Sequence, residues 1–264
     1  MYNRMNSIRN IAVAVVALVG VCSCNRSISV VSYNVGVFMK SGENSTGMIA
    51  RMLKSRKADF VGLCELDSCT VRTGRVFQLD ELRESMQQGY QMVFAPAMTF
   101  QGGKYGVGIL VSPRYPVLKT ETYSLDRGDG SEPRALCVAY TDELVFAVTH
   151  LDYTKGTARY NQGVEVDSIL RRISSETGRD VILCGDFNAS PESDVISMFD
   201  DNWQRISPEQ YSYPSDEPKV CIDYIFLLKG SKHRCAESGV VTDFAEGRTQ
   251  DASDHLAMSA TLVR

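Results

Sequence analysis

Short apolar runs rich in branched side chains recur along this chain, and most are separated only by turn residues. They span residues 28–33, 59–64, 90–94, 105–111, 117–123, 135–140, 144–149, 180–184, 221–228, 239–242 and 256–263. Runs of this length and composition read as strands. Helices are expected over 48–57, 79–87, 158–175 and 192–199. In the first, Met48, Ile49, Met52 and Leu53 recur at helical spacing, and in the third Val164, Ile169 and Ile173 are among the apolar positions. Strands that outnumber helices and follow one another directly predict an α+β chain. Two mainly antiparallel sheets pack together with helices outside, in contrast to a doubly wound parallel sheet. A length of 264 residues with 44% hydrophobic side chains is enough for one large domain with a full core.

The first residues belong to a different kind of segment. Arg4 and Arg9 precede an unbroken apolar run over 11–21. That run is too short to span a bilayer but suits the apolar region of an export signal. Ser23-Cys24 follows it, as in a bacterial lipoprotein signal. Residues 1–23 are therefore expected to be a signal peptide, with lipid on Cys24 and a single domain over 24–264. The protein is expected to be exported to the cell envelope, anchored to a membrane and monomeric. An ordinary secretory signal is the alternative. Among the remaining cysteines no metal-ligand spacing occurs. Cys64, Cys137 and Cys184 lie inside apolar runs and are expected to act as small buried hydrophobes. Pairs Cys64–Cys69 and Cys221–Cys235 are both open as disulfides. A net charge of −4 disfavours a general nucleic-acid binder.

Polar residues capable of chemistry fall at the ends of these strands: Asn34, Glu65, Tyr105, His150, Asp186, Asn188, Asp223, Asp254 and His255. Each has an ordinary explanation when taken alone, as a turn residue, a surface acid or a core aromatic. Together, each after an apolar run, they point to one site. The segment Cys184-Gly185-Asp186-Phe187-Asn188 is the most informative. There a glycine is expected to let the chain turn out of the sheet, and Asp186 and Asn188, two apart in an extended segment, are expected to face the same side.

The chain resembles the endonuclease/exonuclease/phosphatase superfamily of metal-dependent phosphoesterases. The matches run in the family's order: Ser32-Tyr33-Asn34-Val35, Val61-Gly62-Leu63-Cys64-Glu65, Tyr105-Gly106-Val107-Gly108 and Thr149-His150-Leu151. Gly185-Asp186-Phe187-Asn188, Ile222-Asp223-Tyr224-Ile225-Phe226 and Ser253-Asp254-His255 follow. The resemblance implies a four-layered αββα sandwich of the DNase I-like kind, with its site in a cleft at one sheet edge. It implies that Glu65, aided by Asn34 and Asp254, holds Mg²⁺ or Mn²⁺, and that Asp186 activates a water. Asn188 and His150 would bind phosphate oxygens, and His255, held by Asp223, would stabilise the transition state. Tyr105 would line the phosphate pocket. The family's Glu-x-Arg element corresponds to Glu132-Pro133-Arg134, which makes Arg134 a substrate-binding candidate. Its Arg-x-x-Gln pattern corresponds to Arg159 and Gln162.

Two positions depart from the pattern. Gly36 stands where apurinic endonucleases of the family carry an acid, and Cys64 where Gln usually precedes the metal-binding Glu. The implied activity is hydrolysis of a phosphate monoester or diester. A DNA nuclease, a sphingomyelinase-like lipid phosphodiesterase and a non-catalytic binding protein on the same fold are the alternatives. Met98-Thr99-Phe100 is the one short stretch that suits contact with lipid.

Overall fold

The computed structural model of the protein describes residues 27–264 except 41, 88 and 245. The expected signal peptide and Cys24 lie outside the described residues. The chain opens with strand β1 (Ile28–Asn34), helix α1 (Thr46–Ser55), strand β2 (Phe60–Ser68) and helix α2 (Gln78–Met86). Five strands follow: β3 (Gln91–Phe100), β4 (Gly103–Val111), β5 (Lys119–Leu125), β6 (Arg134–Tyr140) and β7 (Leu144–His150). The long helix α3 (Gly156–Thr177) leads to β8 (Asp180–Asp186), α4 (Asp194–Asn202) and the short β9 (Trp203–Arg205). The chain closes with β10 (Asp223–Leu228), β11 (Arg234–Val241), α5 (Thr249–Ala252) and β12 (Ala257–Val263).

Two six-stranded sheets result, in the orders β11-β12-β1-β2-β4-β3 and β5-β6-β7-β8-β10-β9. Pairing is antiparallel except at one place in each sheet, β1 with β2 and β7 with β8. Those parallel pairs need crossovers, which α1 and α3 supply. Period-two alternation sorts the side chains into layers. In β1 and β2, Ile28, Val30, Phe60 and Cys64 face the core shared by the sheets, and Val31, Tyr33, Val61 and Leu63 face α1 and α2. On the other sheet Val166, Leu170, Val195 and Phe199 bring α3 and α4 onto the same core. The four-layered α+β sandwich follows.

Several local expectations are corrected. β2 does not stop before Glu65 but runs on to Ser68, with a register shift between Leu63 and Leu66. β11 begins at Arg234, well before the expected 239, because an exposed strand carries polar residues that hide it. β9 was not expected; it is held by tertiary contact, since Trp203 is buried and its Nε1 donates to Asp167 at 2.8 Å. Val164 is 42% exposed, so it is not on the buried stripe of α3. Cys64, Cys137 and Cys184 are wholly buried, as expected, and the six cysteines from Cys64 to Cys235 are free thiols. Gly185 lies within β8, and its role is close approach, not a turn. At φ +145 a Cβ there would stand 1.8 Å from the Thr149 carbonyl oxygen.

Candidate active site

The two parallel pairs end side by side, one from each sheet, and their last residues are polar. Asn34 closes β1, His150 closes β7 and Asp186 closes β8, with His150 and Asp223 opposite Asp186 on its two neighbouring strands. Glu65 occupies the irregular point in β2, in left-handed conformation at φ 59. A bulge of this kind re-aims a side chain.

Asn34 joins the sheets. Its Nδ2 donates to Glu65 Oε1 and to Asp186 Oδ2, both at 3.0 Å, and lies 3.4 Å from His255 Nε2. His255 Nδ1 is 2.8 Å from Asp223 Oδ2, and its Nε2 is 3.6 Å from Asp186 Oδ2. The loop that carries it is fixed by Ser253, whose Oγ donates to the Asn34 carbonyl at 2.7 Å. The segment after β8 is not extended. Asn188 has φ 49 and its N–H donates to Asp186 Oδ1 at 2.8 Å, so the two side chains meet through a turn. Asn188 Nδ2 lies 3.0 Å from His150 Nε2 and donates to the Leu151 carbonyl at 3.1 Å.

Arg134 Nη1 lies 3.1 Å from His150 Nδ1. A guanidinium only donates, so Nδ1 accepts, and the His150 ring is held between Arg134 on one nitrogen and Asn188 on the other. Burial, reinforced by the charges of Arg134 and His255, pushes the His150 pKa well below its ordinary value. His255 moves the other way. Burial opposes its charge, but the carboxylates of Asp223 and Asp186 outweigh this and hold its pKa up at about 10. Burial, with Asp223 beside it, raises Asp186. Burial also raises Glu65, although Asn34 donates to it. One imidazole is thus neutral and the other charged, a division suited to acid–base work.

These groups open onto a cleft of about 470 Å³ whose floor includes Glu65, His150, Asp186, Asn188, Asp254 and His255. Asn34 and Asp223 sit beneath the floor, bonded to it. Tyr105 and Arg134 form part of the wall, and Arg134 Nη2 meets Glu132 at 3.4 Å. Arg159 and Gln162 do not reach the cleft. Arg159 Nη1 donates to the Asp152 carbonyl, and Gln162 Oε1 accepts from the Asp152 N–H, both at 2.9 Å. Both therefore brace the loop after β7. A larger groove, of about 950 Å³, runs between α3 and α4, but its acids Glu192, Asp194 and Asp201 are exposed.

The donor set fits a hard divalent cation. Glu65 and Asp254 present oxygens to the cleft, and Asp223 Oδ1 is buried with no hydrogen-bond partner among the described residues. Asp186, Asp223 and His255 also bring donor atoms within 4.8 Å of one another. A histidine ligates only when neutral, however, and both ring nitrogens of His255 already face carboxylates. The oxygens around Glu65 are the better place.

Arg72 and Tyr153, which no sequence motif marks, also line the cleft, as does Tyr213, whose Tyr213-Pro214-Ser215 segment resembles the family's loop before β10. They lie on loops, where no periodicity marks them. The Tyr213 ring is 4.8 Å from that of His255, and Tyr153 lies over Arg134 at 5.9 Å. Met98 and Phe100, expected to suit lipid, line this cleft too.

A sequence profile described as the Endonuclease/Exonuclease/phosphatase family matches residues 31–255. No curated protein sequence matches the chain significantly. Among solved structures, a mannosyl-6-phosphatase of Bacteroides thetaiotaomicron is similar with TM-score 0.74 and 19% identity, over 90% of this chain and 100% of that one. An endonuclease/exonuclease/phosphatase family protein of the same organism gives 0.74 and 19%, over 90% and 95%. Truncated TDP2 of Caenorhabditis elegans gives 0.68 and 18%, over 90% and 98%. At these identities the likeness shows the fold.

Proposed function

Because the chain belongs to the endonuclease/exonuclease/phosphatase family, whose members hydrolyse phosphoric esters, we propose that it is a phosphomonoesterase dependent on Mg²⁺ or Mn²⁺. The observation that carries the proposal is the buried network Glu65–Asn34–Asp186–His255–Asp223, which spans both sheets. Glu65, Asn34 and Asp254 would hold the cation. When bound, it polarises a phosphoryl oxygen and offsets negative charge. Asp186 takes the proton of the attacking water, which its raised pKa favours. Asn188 and His150, which meet through Nδ2 and Nε2, bind the phosphate oxygens. His255 stays protonated through neutral pH and faces the charge that grows on the phosphoryl group. Asp223 fixes its ring, while Tyr105 and Arg134 shape the pocket.

A small monoester is favoured over nucleic acid for three reasons. The cleft volume of about 470 Å³ is that of a small-molecule site. The chain is acidic overall. Gly36, which stands where the apurinic endonucleases carry an acid, has φ +50, a conformation that strains any side chain placed there. The similar mannosyl-6-phosphatase makes sugar phosphates the first substrates to try.

The test is a panel of sugar phosphates, aryl phosphates, DNA and a phosphocholine lipid, each with Mg²⁺ or Mn²⁺ and again with EDTA. Phosphate release from monoesters that stops with the chelator is the expected result. Cleavage of DNA or lipid alone would transfer the site to diesters, and no turnover of anything would leave a binding protein. We also propose that the protein is exported and lipid-anchored through Cys24. Full-length Cys24→Ser should move from the membrane fraction to the soluble fraction, as read by detergent phase partition.

A further inference from the structure

We propose that Arg72 is an anion-recognition residue of the cleft, selecting phosphoryl ligands with a second negative charge; this deepens the phosphoesterase reading above and rests on it. Arg72 lies between β2 and α2 and lines the same cleft as Glu65 and Tyr105. Its Nε donates to Asp67 Oδ2 at 2.6 Å and its Nη2 to Asp67 Oδ1 at 2.8 Å. Asp67 is wholly buried and is itself fixed by the Thr70 hydroxyl at 2.6 Å. The guanidinium carbon stands 4.6 Å from the centre of the Phe100 ring and 5.5 Å from that of Tyr105.

A fork on one edge and aromatic rings against the head group thus fix an arginine whose side chain is still 36% exposed. Such a pair is a poor route to stability, because burying a carboxylate costs much of what the pairing returns. It is a good route to a preorganised cation, since the rotamer entropy is lost before any ligand arrives. Asp67 lies behind the guanidinium, so an anion in the cleft meets the positive group first. The fork uses Nε and Nη2 and leaves the Nη1 edge.

Arg134 supplies a second guanidinium in the cleft lining. It is 3% exposed, lines the same cleft and has a buried Nε with no hydrogen-bond partner among the described residues. Near neutral pH a phosphate monoester carries a charge of about −1.5 to −2, whereas a diester carries about −1. Two guanidiniums beside Tyr105 match the more highly charged ligand. The second charge belongs either to the phosphoryl group itself or to an anionic group next to it.

The experiment is calorimetric titration of the Mg²⁺-loaded protein with inorganic phosphate, methylenediphosphonate and dimethyl phosphate. It compares wild type, Arg72→Met and the double variant Asp67→Asn/Arg72→Met. Arg72→Met should weaken one or both of the multiply charged ligands by about tenfold or more, and dimethyl phosphate by less than about twofold. Loss on both places the second charge on the phosphoryl group; loss on the diphosphonate alone places it on the neighbour. The double variant leaves no unpaired buried carboxylate and should show the same selective loss. Equal loss on all three ligands, no loss, wild-type binding by the double variant, or no binding by wild type would each overturn the proposal. Binding by wild type without turnover in the substrate panel would sink the phosphoesterase reading alone.

Discussion

Asp186→Asn should give a folded protein whose phosphate release falls by about 10²- to 10⁴-fold, the usual loss when a general base is removed. The side chain is 2% exposed and bridges the sheets through Asn34, so its geometry is fixed before any substrate arrives. An amide at that position still accepts from the Asn188 N–H but takes no proton from water. Stability should move the other way with pH. Burial and the nearby Asp223 raise the Asp186 pKa above its unfolded value. Its stabilising contribution is therefore full below the unfolded-state pKa of about 3.9 and is lost as pH rises through the folded value. In metal-free urea titrations the difference in stability should shift towards Asp186→Asn between acid and neutral pH. Unchanged turnover would remove Asp186 from the proposed chemistry, and a pH-independent difference would contradict the electrostatic account.

Gly185→Ala should cost about 4 kcal/mol or more, at the extreme of single substitutions. Thr149 and Gly185 are paired in the parallel ladder of β7 and β8, and the added methyl would stand 1.8 Å from the Thr149 carbonyl oxygen. Neither strand has room to give, because their neighbours Val148 and Cys184 are wholly buried. The left-handed φ of +145 adds strain for any residue but glycine. His150 and Asp186 lie one residue further along, so any surviving folded fraction should also be impaired. Urea unfolding decides this, and a loss below about 1 kcal/mol would show that the ladder yields more than its packing suggests.

The layered fold was legible because β1, β2, β7 and β8 are buried on both faces and read as near-continuous apolar runs. Asn34, His150 and Asp186 stood out for the same reason, as polar residues directly after such runs. Of the edge strands β3 and β5 were legible, β11 only in its last part and β9 not at all. β11 alternates exposed polar residues, and β9 and α5 are too short to carry a period of their own. Glu65 was identified as a residue but not as a bulge, since that depends on its antiparallel partner β4. The turn joining Asp186 to Asn188 was likewise hidden, because the spacing of two fits an extended strand equally well. Arg72 and Tyr153 had no signal at all, and Tyr213 only that of a loop resembling the family's: loop residues meet the cleft through tertiary folding.

Asn34 is a single carboxamide that touches an acid from its own layer and another from the facing layer. The molecule's working parts are thus divided between two slabs, and neither slab owns a complete set. A slip of one past the other by about 1 Å would pull these parts out of register, and misplacement on that scale costs about 100-fold in rate. Turnover is in this sense a vernier for interlayer alignment, far finer than any spectroscopic measure of whether the chain is folded.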